Sequence, residues 1–154
     1  MKFTAQNAIM QGAQQIPLSS ARDQTIEVRY ITLHISDAAM SPHIAAPDHP
    51  KCHLNIARDG TVIQAVPLDR RSDHAGPSNW KGLNSLDHHS IGVALQTLPL
   101  DSTGGPDLRD VTADQYAALR QVVGALVRAY PSLRDIVPYY DICAGLLPAP
   151  TGRF

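Results

Sequence analysis

Seven histidines and two cysteines carry the lone pairs that metal binding or nucleophilic chemistry requires. His34 closes a run rich in β-branched residues, His53 opens a second such run, and His74 lies in Asp73-His74-Ala75-Gly76. His43, His49, His88 and His89 are scattered around them, and none of the spacings is a recognised ligand pattern. These residues read either as an improvised metal site or as hydrogen-bonded structural histidines. Trp80, in Asn79-Trp80-Lys81-Gly82, places an aromatic ring beside hydrogen-bonding groups. That combination suits the face of a saccharide, and it equally suits a ring that packs a loop. Cys52 and Cys143 do not make a disulfide framework, and neither has an assigned base to raise its thiolate fraction, so both read as buried, inert thiols.

The elements that position these residues follow from hydrophobic period and turn chemistry. Thr25 to Ser36 is dense in β-branched residues, and its Tyr30–Leu33 core is apolar enough for a central strand covered on both faces. Three prolines mark residues 37–51 as a loop. His53 to Ile56 and Thr61 to Val66 flank Arg58-Asp59-Gly60, where Asp-Gly is expected to take the positive φ angles of a tight hairpin turn. Residues 67–89 read as a long irregular segment, followed by a strand over Ile91–Thr97. Thr112 and Gln115 form a capping box that opens a helix running to about Tyr130, where Pro131 stops it. Its expected buried stripe is Tyr116, Leu119, Val122, Val123, Leu126, Val127 and Tyr130. A short strand at Ile136-Val137 precedes a proline-containing tail, and residues 1–24 read as a polar lead-in wrapping the domain.

At 154 residues, with 44% hydrophobic and 18% charged side chains, the chain is expected to form one domain over residues 1–154. Thirteen basic against fourteen acidic residues leave a formal charge of -1, which provides no field for nucleic acid or anionic lipid. No apolar run approaches the roughly 18 residues of a membrane-spanning helix, so membrane insertion is not expected. Residues 1–11 lack the apolar core of a secretory signal. The compartment is left open between the cytoplasm and carriage in a phage or secretion particle.

The pieces ITLHIS, HLNIARDGTVIQAVPLDRRSDHAG, SNWKG, SIGVALQ and IVPYYDICAG occur in one order over roughly residues 28–154. In that order the chain resembles the zinc-dependent N-acetylmuramoyl-L-alanine amidase and peptidoglycan-recognition-protein family. The resemblance implies an α/β fold, a central mixed β-sheet flanked by helices. It also implies hydrolysis of the amide between muramic acid and L-alanine by water on a zinc ion held by three side chains, with a glutamate base.

Carried over residue by residue, the resemblance places the first zinc histidine on His34. The glutamate base falls on Ala94, the second zinc histidine on Tyr139 within Ile136-Val137-Pro138-Tyr139-Tyr140-Asp141, the family's lysine on Leu147 and the third ligand on Ala149. The expectation is therefore a degenerate member with a vestigial His34, no bound zinc and no catalytic residue. The Tyr139 ring is expected to fill the ligand volume, with its hydroxyl bonded to His34. The resemblance further implies a groove for peptidoglycan or muropeptide fragments lined by His34, His53, His74, Trp80 and Tyr139. Two other readings accompany it, a structural or regulatory scaffold for a protein partner, such as a phage-particle component or an effector's partner, and a residual zinc amidase.

Overall fold

The computed structural model describes residues 3–16, 24–37, 52–75, 78–97 and 111–139. Leu147, Ala149, Cys143 and Asp141, with His43 and His49, lie outside the described residues. The strands are β1 (Thr4–Gln6), β2 (Ile9–Gln11), β3 (Gln14–Gln15), β4 (Tyr30–Asp37), β5 (Leu54–Ile56), β6 (Val62–Gln64), β7 (Asn79–Trp80), β8 (Leu83–Asn84), β9 (Ser90–Thr97) and β10 (Asp135–Pro138). The helix α1 spans Ala113–Ala129, and a 3-10 turn covers Leu86–His88. Six strands form one mixed sheet in the order β10-β4-β9-β5-β6-β3. In it β4 runs parallel to both β10 and β9, β9 runs parallel to β5, and β5 and β6 are antiparallel. Among the described residues, no helix is long and apolar enough to cross a membrane.

Strand alternation divides the sheet into two chemically different faces. Ile31, Leu33, Ile91, Val93, Leu95, Leu54 and Ile56 point to one side, where they pack with Val122, Ala125 and Leu126 of α1. Thr32 stands opposite Gly92, His34 opposite Ala94, and Ala94 opposite Asn55, so these residues share the other face. There a smaller cluster of Tyr30, Ala75, Leu86 and Val137 packs with Trp80, Leu83 and Tyr139.

The helix starts where the capping box predicts. Gln115 N–H donates to Thr112 Oγ1 at 3.1 Å and Thr112 N–H donates to Gln115 Oε1 at 3.0 Å. Gln115 Nε2 also donates to Ile56 O and Gln96 O, which ties the helix start to β5 and β9. The buried stripe is Gln115, Ala118, Val122, Ala125 and Leu126. Tyr116 and Val127, expected in it, are 44% and 54% exposed. Ala118 and Ala125 share the buried face with Val122 and Leu126, a choice that hydrophobicity alone does not reveal.

Two further expectations are corrected. Residues 25–29 stay outside the sheet, because Ile26, Glu27 and Arg29 N–H groups donate to the carbonyls of Asp69, His88 and His89, and Thr25 makes only an isolated bridge to Arg70. In the β5–β6 turn Gly60 alone takes positive φ, at 87°, while Asp59 Oδ1 accepts the Thr61 N–H at 2.9 Å. Gly60 N–H donates to Ala57 O, as in a type I turn closed by a left-handed glycine. Within the lead-in, β1 and β2 form a hairpin around Asn7 and Ala8, both with positive φ. Buried Gln64 accepts the Met10 N–H at 2.8 Å and donates to Ala8 O and Val66 O, which fastens this hairpin to β6.

Thr112→Ala removes both the cap acceptor and the 2.6 Å bond from Thr112 Oγ1 to Arg58 O. The expected loss is about 1–2 kcal/mol in urea unfolding, and an unchanged midpoint would show that the cap does not hold α1.

Candidate functional site

The candidate site is built on the polar face of β4 and β9. His34 stands on β4 directly opposite Ala94 on β9, and Tyr139, which follows β10, stacks on the His34 ring at 4.6 Å between centroids and 26° between planes. Ala94 is 2% exposed. The position the resemblance gives to a carboxylate thus holds a buried methyl beside the imidazole. The expected bond from the Tyr139 hydroxyl to His34 is replaced by ring stacking. The hydrogen bond of His34 goes instead to His74, with Nε2 and Nδ1 3.1 Å apart.

His74 lies beneath His34, its side chain fully buried. Its Nε2 is 3.3 Å from both the carbonyl oxygen and Oγ of Ser90, and 3.9 Å from Asp87 Oδ1. Asp87 Oδ1 accepts the Ala75 N–H at 2.7 Å and so holds the loop that carries His74. Ser90 Oγ donates to Leu86 O at 2.7 Å and accepts from Thr32 Oγ1 at 2.8 Å. The His74 ring fits only because Gly92 has no side chain, since a Cβ there would stand 2.7 Å from His74 Cγ and 3.1 Å from Cys52 Sγ.

His53 was expected in the groove, and the structure places it in the interior instead. It is fully buried, its Nε2 lies 2.7 Å from the Arg70 carbonyl oxygen, and its Nδ1 accepts the Gly92 N–H at 3.0 Å. A carbonyl only accepts and a backbone N–H only donates, so the ring is neutral and protonated at Nε2. Both nitrogens are used to join β5, the 67–70 segment and β9. Burial pushes the His53 pKa down to about 3 and the His74 pKa down to about 4. His34 is held well below the usual histidine value by burial first and by the neighbouring His74 and His53 second.

Trp80 sits on the hairpin β7–β8, whose two central residues, Lys81 and Gly82, both have positive φ, at 47° and 85°. This is the backbone of a type I′ turn, and Gly82 makes it accessible. The ring packs against the Tyr30, Ala75, Leu86 and Val137 cluster on the site face, Lys81 Nζ lies 5.4 Å from its centroid, and its buried Nε1 has no hydrogen-bond partner among the described residues. The structure therefore brings His34, Tyr139, Ala94 and buried His74 together, with Trp80 in the adjoining cluster. Ser90, Thr32, Asp87 and Gly92 were not singled out as site residues from the sequence. The Ser90-Ile91-Gly92 motif was the visible trace of Ser90 and Gly92.

A structural or catalytic zinc ion needs three or four converging donors. Among the described residues no group of three or more His, Cys, Asp or Glu side chains is arranged to hold a metal ion. The described residues do not fit the zinc centre, because His34 has a phenol and a methyl as its neighbours and a histidine whose nearer nitrogen is hydrogen-bonded to it.

The family model for N-acetylmuramoyl-L-alanine amidase matches residues 24–144. The chain belongs to this amidase family. It is 37% identical over 83 residues to the 1,6-anhydro-N-acetylmuramyl-L-alanine amidase AmpD of Salmonella typhimurium, a match covering 54% of this chain and 40% of the relative. The match thus spans less than half of that protein's length. A selenomethionine derivative of AmpD superposes with a TM-score of 0.70 at 23% identity, covering 97% of this chain and 94% of that one. AmpDh3 from Pseudomonas aeruginosa in complex with anhydromuramic pentapeptide gives 0.69 at 25% identity, covering 88% and 60%. The mixed sheet with its packed helix is the family's fold.

Two outcomes are expected from this geometry. Gly92→Ala displaces the His74 ring and costs about 1–3 kcal/mol of stability, so a thermal midpoint equal to that of the unaltered chain would contradict the packing. Because His53 binds its proton more weakly when folded than the ordinary 6.5 of the unfolded chain, its contribution is fully present above 6.5 and fades as pH falls toward 3. Stability should therefore drop on the order of a few kcal/mol over that window, and the drop should shrink in His53→Gln when unfolding is followed against pH.

Proposed function

We propose that this amidase-family chain binds muropeptide fragments of peptidoglycan and does not cleave them. The observation that carries this reading is the Tyr139–His34–Ala94 arrangement. Hydrolysis by the family's route calls for a second metal-binding imidazole and a carboxylate base, and the positions that the resemblance assigns to them hold a phenol and a methyl. A neutral phenol is a poor zinc ligand, and alanine takes no proton. By sequence the remaining two positions are Leu147 and Ala149, so we propose that zinc is not a cofactor of this chain.

The ligand class is supported by family membership and by the anhydromuramic pentapeptide bound to AmpDh3. His34, Tyr139 and Trp80 are the residues proposed to meet it, with His53 and His74 acting from beneath. Retained amidase activity is the second reading, favoured by the 37% identity to an amidase.

Calorimetry with an anhydro-N-acetylmuramoyl tripeptide, run alongside a peptide-release assay with and without added zinc, separates the two. Saturable binding, no released peptide and well under one equivalent of zinc in the purified chain are expected. Trp80→Ala should weaken binding roughly tenfold, as truncating a ring that packs on a ligand does. Peptide release that depends on His34 would establish the amidase reading in its place. Combining Ala94→Glu, Tyr139→His, Leu147→Lys and Ala149→Asp should bring stoichiometric zinc binding, and a folded variant without it would refute the residue correspondence.

A further inference from the structure

Every hydrogen bond around His74 has only one consistent direction. Leu86 O is an acceptor, so the single hydroxyl hydrogen of Ser90 is used there at 2.7 Å. Thr32 must then be the donor in its 2.8 Å bond to Ser90 Oγ, which leaves Ser90 Oγ nothing but a lone pair for His74. The Ser90 carbonyl oxygen and Asp87 Oδ1, the other oxygens near His74 Nε2, also only accept. His74 Nε2 therefore carries the hydrogen. In the neutral ring that leaves Nδ1 as a lone pair, and the 3.1 Å contact to His34 Nε2 is a hydrogen bond only if His34 donates it. A neutral His34 protonated at Nε2 has its remaining lone pair on Nδ1, which meets no partner among the described residues.

We infer that His74 is a positioning residue. Held by Ser90, it selects the Nε2–H tautomer of His34 and so presents His34 Nδ1 as a hydrogen-bond acceptor to a ligand N–H or O–H. The half-buried His34 ring, clamped by Tyr139 stacking on it, keeps that lone pair in one orientation. Gly92 belongs to the same device, because a Cβ there would occupy the place of the His74 ring. The ligand half of this inference rests on the muropeptide reading, since a muramoyl peptide offers amide N–H and sugar O–H donors. The tautomer half stands independently of it.

Two measurements on the full chain separate these halves. In long-range nitrogen–proton NMR at neutral pH, His34 should show a bare Nδ1 and a protonated Nε2, and a protonated Nδ1 would overturn the inference. His74→Leu removes the acceptor, so His34 should become a mixture of tautomers and anhydro-N-acetylmuramoyl tripeptide should bind about five- to tenfold more weakly. His74→Gln keeps an acceptor for His34 and a donor for Ser90, so it should restore both the single tautomer and the affinity. Equal affinities for the Leu and Gln variants would refute the positioning role. If the unaltered chain shows the expected tautomer yet binds no tripeptide, the muropeptide reading falls and the ligand half falls with it.

Discussion

The parallel pairing of β4 with β9 is the constraint on which the site depends. Its register sets His34 beside Ala94 and Thr32 beside Gly92, and a slip of one residue would turn the shifted strand's polar positions into the α1-packed core. The register is enforced from the opposite face, where Ile31, Leu33, Ile91, Val93 and Leu95 are buried against the helix. Burying five such side chains contributes on the order of 1.5–3 kcal/mol each, far more than any one hydrogen bond on the polar face. The core thus decides where the site residues stand, and the site residues have little say in it.

On that polar face the dominant cost is desolvation. His34, His53 and His74 lie close together, with ring centroids 5.3 and 5.5 Å apart from His34 to His74 and from His53 to His74. A charge on any of them would be poorly hydrated and would repel the others, so the cluster is stable as neutral rings. Neutral imidazole has one donor and one acceptor, and the surrounding carbonyls, hydroxyls and backbone N–H groups leave each ring little choice of tautomer. The outcome is a directional chain of hydrogen bonds running from His34 through His74 to Ser90 rather than a set of interchangeable polar contacts.

Family membership and the described chemistry bear on different levels. The match over residues 24–144 and the shared mixed sheet establish the scaffold. The side chains at its strand end are this chain's own, a stacked phenol and a buried methyl around one imidazole. Scaffolds of this kind host functions through the groups grafted on them, so the fold alone does not specify the chemistry.

Local signals in the sequence were enough for the strands β4, β9 and β10, the β5–β6 hairpin and the capped start of α1, because β-branched runs, Asp-Gly and a Thr-x-x-Gln box act over a few residues. The resemblance also picked out His34, Ala94 and Tyr139 as the positions to compare. Local pattern did not reveal the three short strands within residues 4–15, since the buried amide of Gln64 that anchors them lies far along the chain. It also counted Tyr116 and Val127 in the buried stripe of α1, where Ala118 and Ala125 stand beside Val122 and Leu126 instead. The interior position of His53, and the descent of His74 onto Gly92, were decided only by tertiary structure. An imidazole's role is set by what surrounds its two nitrogens, and those neighbours come from strands and loops that the linear sequence keeps apart.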